Sequence, residues 1–152
     1  MQDAAYPFDG YGNYYRSLDD DGDEELLADG ASCVDAVMQF KYADAPDEFD
    51  GTEKLVVFAN SAGKLVVVDA DATNVTTTAI AEDTWYRLTI VSVDETVNNA
   101  TVKKFKVYVN GTVDGAPVAP VATEGGTDSF KSRVADSNSV TKMTLSGTGK
   151  VD

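Results

Sequence analysis

From Ser32 onward the chain alternates apolar and polar side chains with the two-residue period of a strand, and no long stretch carries the stripe of an amphipathic helix. A chain patterned this way folds as sheets. The clearest segment is Lys104-Phe105-Lys106-Val107-Tyr108-Val109. Successive side chains of a strand point to opposite faces, so Phe105, Val107 and Val109 share one face while Lys104, Lys106 and Tyr108 share the other. One face is expected in a core and the other in water. In residues 85–93, Tyr86, Leu88 and Ile90 line one face and Trp85, Thr89, Val91 and Val93 the other. With both faces apolar, this is expected to be an interior strand, with Trp85 in the core.

Turn residues divide the rest. Residues 54–60 and 64–69 flank Ser61-Ala62-Gly63, whose glycine takes the positive φ of a tight hairpin. Asn110-Gly111 is a second hairpin signal and is expected to turn the Phe105 strand into Thr112-Val113. Further strands are expected over 32–40, 76–80 and 140–145. The prolines of Gly115-Ala116-Pro117-Val118-Ala119-Pro120 remove ladder donors, so that segment is expected as a loop or an edge. Seven or more short strands separated by turns predict an all-β, two-sheet antiparallel β-sandwich or jelly roll.

Composition narrows the function classes. The chain has 152 residues, the size of one domain, and sets 12 Lys and Arg against 26 Asp and Glu for a net charge of −14. That sign disfavours nucleic acid and anionic membranes, which would be repelled. Histidine is absent, which removes histidine triads, histidine bases and imidazole metal sites. The single cysteine, Cys33, excludes an internal disulfide and is expected as a small buried hydrophobe. No apolar run approaches the ~18 residues of a spanning helix, so no membrane insertion is expected. The start, Met1-Gln2-Asp3-Ala4-Ala5-Tyr6-Pro7, lacks the features of a signal peptide. It fits both a cytoplasmic protein and an excised piece of a secreted one. Residues 1–30 differ from the remainder: Tyr6, Phe8, Tyr11, Tyr14 and Tyr15 cluster ahead of Asp19-Asp20-Asp21-Gly22-Asp23-Glu24-Glu25. They are read as an aromatic and acidic arm, or as the first strand of the domain, and 31–152 as the sandwich.

Three segments carry a family resemblance. Glu82-Asp83-Thr84-Trp85-Tyr86-Arg87-Leu88-Thr89-Ile90 resembles a strand that opens with Trp after a small polar turn. Phe105-Lys106-Val107-Tyr108-Val109-Asn110-Gly111-Thr112 resembles the next strand, ending in a Val-Asn-Gly turn. Met143-Thr144-Leu145-Ser146-Gly147-Thr148-Gly149-Lys150-Val151-Asp152 is similar to a closing Gly-x-Gly-x-Val-Asp run. Together they resemble the laminin-G-like, concanavalin A-like jelly-roll family, in its bacterial surface and secreted versions. The resemblance implies an extracellular or cell-surface location and a non-catalytic recognition module binding glycan or extracellular protein. The family continues past its Val-Asp into a final strand. A sheet lacking that strand has an open edge, so a structural subunit of an extracellular assembly, self-associating by strand addition, is a second expectation.

Three groups of side chains are candidates for chemistry. Glu48, Asp50 and Glu53 have the Glu-x-Asp-x-x-Glu spacing of laminarinase-type glycoside hydrolases on the same fold, where retaining hydrolysis needs two carboxylates about 5–5.5 Å apart. Here the motif follows Asp44-Ala45-Pro46-Asp47 and contains Gly51, so it also reads as an acidic loop. Asp19, Asp21 and Asp23 offer alternate carboxylates of the kind that gather calcium, although Glu24 and Gly30 depart from an EF-hand loop. Laminin-G-like relatives often hold a calcium ion, which makes calcium the candidate cofactor; a solvated acidic turn is the other reading. Tyr6, Tyr11, Tyr14 and Tyr15 are candidate ligand-binding rings, for stacking on sugar or contacting protein, or else packing of the arm onto the sandwich. Three sequons, Asn74-Val75-Thr76, Asn99-Ala100-Thr101 and Asn110-Gly111-Thr112, would be glycosylated only in a eukaryotic secretory route.

Overall fold

The computed structural model describes residues 33–44, 53–110, 112–113, 116–134, 13–14, 143–144 and 150–151. These residues are strands and connections, with no helix among them. In chain order the strands are β1 (Asn13–Tyr14), β2 (Cys33–Gln39), β3 (Val56–Ala59), β4 (Lys64–Val68), β5 (Thr73–Ala79) and β6 (Trp85–Val97). They continue with β7 (Ala100–Val109), β8 (Thr112–Val113), β9 (Ala116–Pro117), β10 (Phe130–Lys131), β11 (Met143–Thr144) and β12 (Lys150–Val151). One sheet has the order β10-β7-β6-β2-β12 and a second the order β3-β4-β5, every pairing antiparallel. Two further ribbons pair β1 with β11 and β8 with β9.

The two sheets pack together as a β-sandwich, and the alternation read from the sequence explains which faces meet. Val34 and Ala36 of β2, Leu88 and Ile90 of β6, Phe105 and Val107 of β7 and Phe130 of β10 form the larger sheet's side of the core. Ala59 of β3 with Leu65 and Val67 of β4 form the other side. Phe105, Val107 and Phe130 are wholly buried, as expected of one face of the Phe105 strand. On the opposite face of β6, Thr89 and Val91 are also only 1% exposed, so the middle of that strand is covered on both sides. The Thr89 hydroxyl is buried there without a hydrogen-bond partner.

The hairpin over Ser61-Ala62-Gly63 forms as expected. Gly63 has φ 70°, its N–H donates to the Asn60 carbonyl at 2.9 Å, and the Asn60 side chain accepts the Lys64 N–H at 3.0 Å. A Cβ at Gly63 would stand 3.2 Å from both the Ile80 carbonyl oxygen and the Tyr42 hydroxyl, so the position favours glycine on both counts. A tight turn also occurs where no glycine signals it: Asn98 and Asn99, at φ 51° and 63°, join β6 to β7 as a two-residue loop.

The Asn110-Gly111 signal is corrected. Asn110 does have φ 56°, yet β8 pairs with β9 and not with β7. The cause is local: the Asn110 N–H donates to the Arg87 carbonyl at 2.7 Å and its Oδ1 accepts the Arg87 N–H at 3.0 Å. Asn110 therefore closes the β6–β7 ladder, while β7's other edge takes Val121 N–H on the Val107 carbonyl and the β10 pairing. The proline segment contributes Ala116–Pro117 to the short β8–β9 ribbon, in keeping with an edge. The strand expected over 140–145 is described at Met143–Thr144.

Candidate functional site

The side chains that stand out are at the start of β6. Trp85, expected in the core, is 45% exposed, and the cause lies in its neighbour. Tyr86 turns inward, its ring 6.2 Å from that of Phe40 in an edge-on contact, and its hydroxyl accepts the Ala81 N–H at 2.9 Å. Adjacent residues of a strand face opposite ways, so an anchored Tyr86 sends Trp85 outward. At the middle of β6 the outward face is covered; at its first residue it is not.

A clasp holds this corner. Residues 39–42, running out of β2, lie along residues 80–86, the turn into β6. Gln39, buried and the register partner of Trp85, donates through Nε2 to the Asp83 carbonyl at 3.1 Å. Lys41 Nζ reaches Asp83 Oδ1 at 3.0 Å, and that hydrogen bond, with the carboxylate's charge, raises the Lys41 pKa. The Tyr42 N–H donates to Glu82 Oε1 at 2.8 Å and its hydroxyl to the Ile80 carbonyl at 2.9 Å. Asp83 takes φ 57°, the left-handed conformation that Asp tolerates better than most residues, and this turn carries the chain into Trp85. Across the sheet, Gln39 is also the register partner of Lys150 in β12, so Lys150, Gln39 and Trp85 form one outward row over three neighbouring strands. At about 4.8 Å per strand that row is about 10 Å wide.

The corner thus presents a half-exposed indole, a second partly exposed ring in Tyr42, carboxylates in Glu82 and Asp83 and ammonium groups in Lys41 and Lys150. Its chemistry is that of contact: an apolar ring face beside fixed hydrogen-bond donors and acceptors. Among the described residues no three Asp, Glu or Cys side chains gather as metal ligands do.

Most residues singled out in the sequence fall elsewhere. Tyr6, Tyr11, Tyr15, Asp19, Asp21, Asp23, Glu48 and Asp50 lie outside the described residues. Tyr14 is described as backbone only, in register with Met143. Glu53 is described: its carboxylate stands 3.9 Å from Arg133 Nη1, which also donates to the Glu53 carbonyl at 3.3 Å, while the Arg133 N–H donates to the Lys54 carbonyl at 2.9 Å. That contact fastens residues 53–54 to the segment after β10. Trp85, Gln39, Lys41, Tyr42 and Asp83 were not singled out as a site by sequence reasoning. A signal was present: Trp85 follows a polar turn and alternates out of phase with Tyr86, Leu88 and Ile90, which puts it at an end of the strand on the face away from the core.

No protein-family model matches the chain, and the searches of curated proteins and of solved structures likewise find no match.

Proposed function

We propose that the chain is a non-catalytic recognition module of an extracellular or cell-surface protein, that its sandwich follows the laminin-G-like jelly roll, and that it binds glycan at the Trp85 corner. The observation that carries this reading is the half-exposed indole on a strand whose next residue is anchored in the core. A pyranose ring has an apolar C–H face bordered by hydroxyls. An exposed indole suits the first, and the exposed Lys41, Glu82 and Asp83 suit the second. Because the clasp is already hydrogen-bonded, binding would cost little ordering of the site.

Trp85 is the only tryptophan, so its emission reports this corner alone. Titration with a panel of soluble plant, algal and animal oligosaccharides, with and without a chelator, is expected to give a saturable change in emission for at least one class. Trp85→Ala, followed by calorimetry, is expected to weaken that ligand about fivefold or more, equivalent to a stacking contribution of about 1 kcal/mol. Unchanged emission and flat calorimetry across the panel would sink the reading.

A further inference from the structure

The three sequons stand in very different structural surroundings, and the contrast singles out one. Asn74 donates through Nδ2 to two carbonyls, Val67 and Ala72, each at 3.2 Å. Its sequon partner Thr76 is 2% exposed, with its hydroxyl donating to the Leu65 carbonyl at 2.8 Å. Asn110 is tied to Arg87 through both its backbone N–H and its Oδ1. Swinging that carboxamide away would break the bond that closes the β6–β7 ladder. Asn99 is different in each respect. It sits at the tip of the two-residue turn, every residue from Thr96 to Thr101 is exposed, and neither the Asn99 carboxamide nor the Thr101 hydroxyl makes a hydrogen bond.

We propose that Asn99 is the N-glycosylation acceptor of the folded chain, taking an oligosaccharide from a lipid-pyrophosphate-linked donor supplied by a secretory route. In the transfer, Asn99 Nδ2 forms a bond to the sugar's anomeric carbon. The bond from that carbon to the pyrophosphate oxygen breaks, the lipid pyrophosphate leaves with the electron pair, and one amide proton passes to a base of the transferring enzyme. Asn99 stands exposed in the turn, at φ 63°, between the ends of the two strands. Nothing in the core or in the Trp85 corner has to move. The inference is independent of what that corner binds.

The test uses the folded full chain, a purified oligosaccharyltransferase that accepts Asn-x-Thr, and a lipid-pyrophosphate oligosaccharide, read by intact mass and peptide mapping. One glycan is expected, on the peptide holding Asn99. Asn99→Gln and Thr101→Ala should each abolish it, the second without altering the turn residue. Asn74→Gln and Asn110→Gln should be modified as the parent is. Equal or greater occupancy at Asn74 or Asn110 overturns the proposal. So does a folded chain left unmodified under conditions in which the urea-unfolded chain is modified.

Discussion

The two ends of β6 are both rich in charge, and they use it differently. At the hairpin end, acids and lysines pair across the strands: Asp94 with Lys103 at 2.8 Å, Glu95 with Lys104 at 2.6 Å, and Glu95 again with the Ser129 hydroxyl at 2.6 Å. At the Trp85 end the polar groups are bonded largely to backbone, and what they hold in place is an exposed ring. Pairing charge with charge closes a surface. Bonding side chains to main chain shapes a turn and leaves an aromatic face available. The same strand therefore has one end built for cohesion and one suited to contact.

The largest test removes what both ends share. Phe105→Ala empties a wholly buried position between the sheets and is expected to cost about 3–5 kcal/mol in urea unfolding, with both ends lost in one transition. If the Trp85 emission change and the far-UV signal separate in the parent protein, the two ends do not share a core. Next, Trp85→Ala should destabilise by no more than about 1 kcal/mol, since the ring is nearly half in water, while weakening the proposed glycan ligand about fivefold or more. A loss of several kcal/mol would make the indole a core element after all.

Midway along β6, Thr89→Val removes a buried hydroxyl that has no partner and keeps the shape, so a gain of about 1 kcal/mol is expected in thermal or urea melts. A loss would mean that the hydroxyl is satisfied. The smallest effect belongs to the hairpin end. Hydrogen bonds from Lys104 and then Ser129 hold the Glu95 pKa below its ordinary 4.5. A carboxylate depressed on folding stabilises above its unfolded pKa, and that contribution disappears as pH falls through the folded value. Stability should therefore be flat in this respect from pH 7 to about 5 and decline below about 4.5. Glu95→Gln should flatten that decline, at a cost of about 0.3 kcal/mol at pH 7, because a pair still partly open to solvent is screened. An unchanged acid limb in the variant would remove Glu95 from the comparison.

The sandwich was legible where side-chain period and burial coincide. Phe105 and Val107 point inward as their alternation requires, and Ser61-Ala62-Gly63 turns because glycine takes its positive φ. Asn110 misled because turn chemistry marks a positive φ but not where the chain goes next; a bond to Arg87 decided that. Asn98-Asn99 went unread because it lacks a glycine, although asparagine also accepts the left-handed region. Trp85 was misplaced for a related reason. Alternation assigns a face, and whether that face is covered at a strand's end depends on what packs there. The clasp joins residues some 40 positions apart, such as Lys41 and Asp83, and no local pattern announces it.

β6 has a further consequence. It runs 13 residues, about 43 Å at a strand's rise, with β2 in register along seven residues and β7 along ten. A pull along that direction loads both ladders in shear, where their hydrogen bonds must yield together, whereas β3 and β4 share only four register pairs. The domain is thus mechanically anisotropic, and the Trp85 corner sits at the end of its stiffest member.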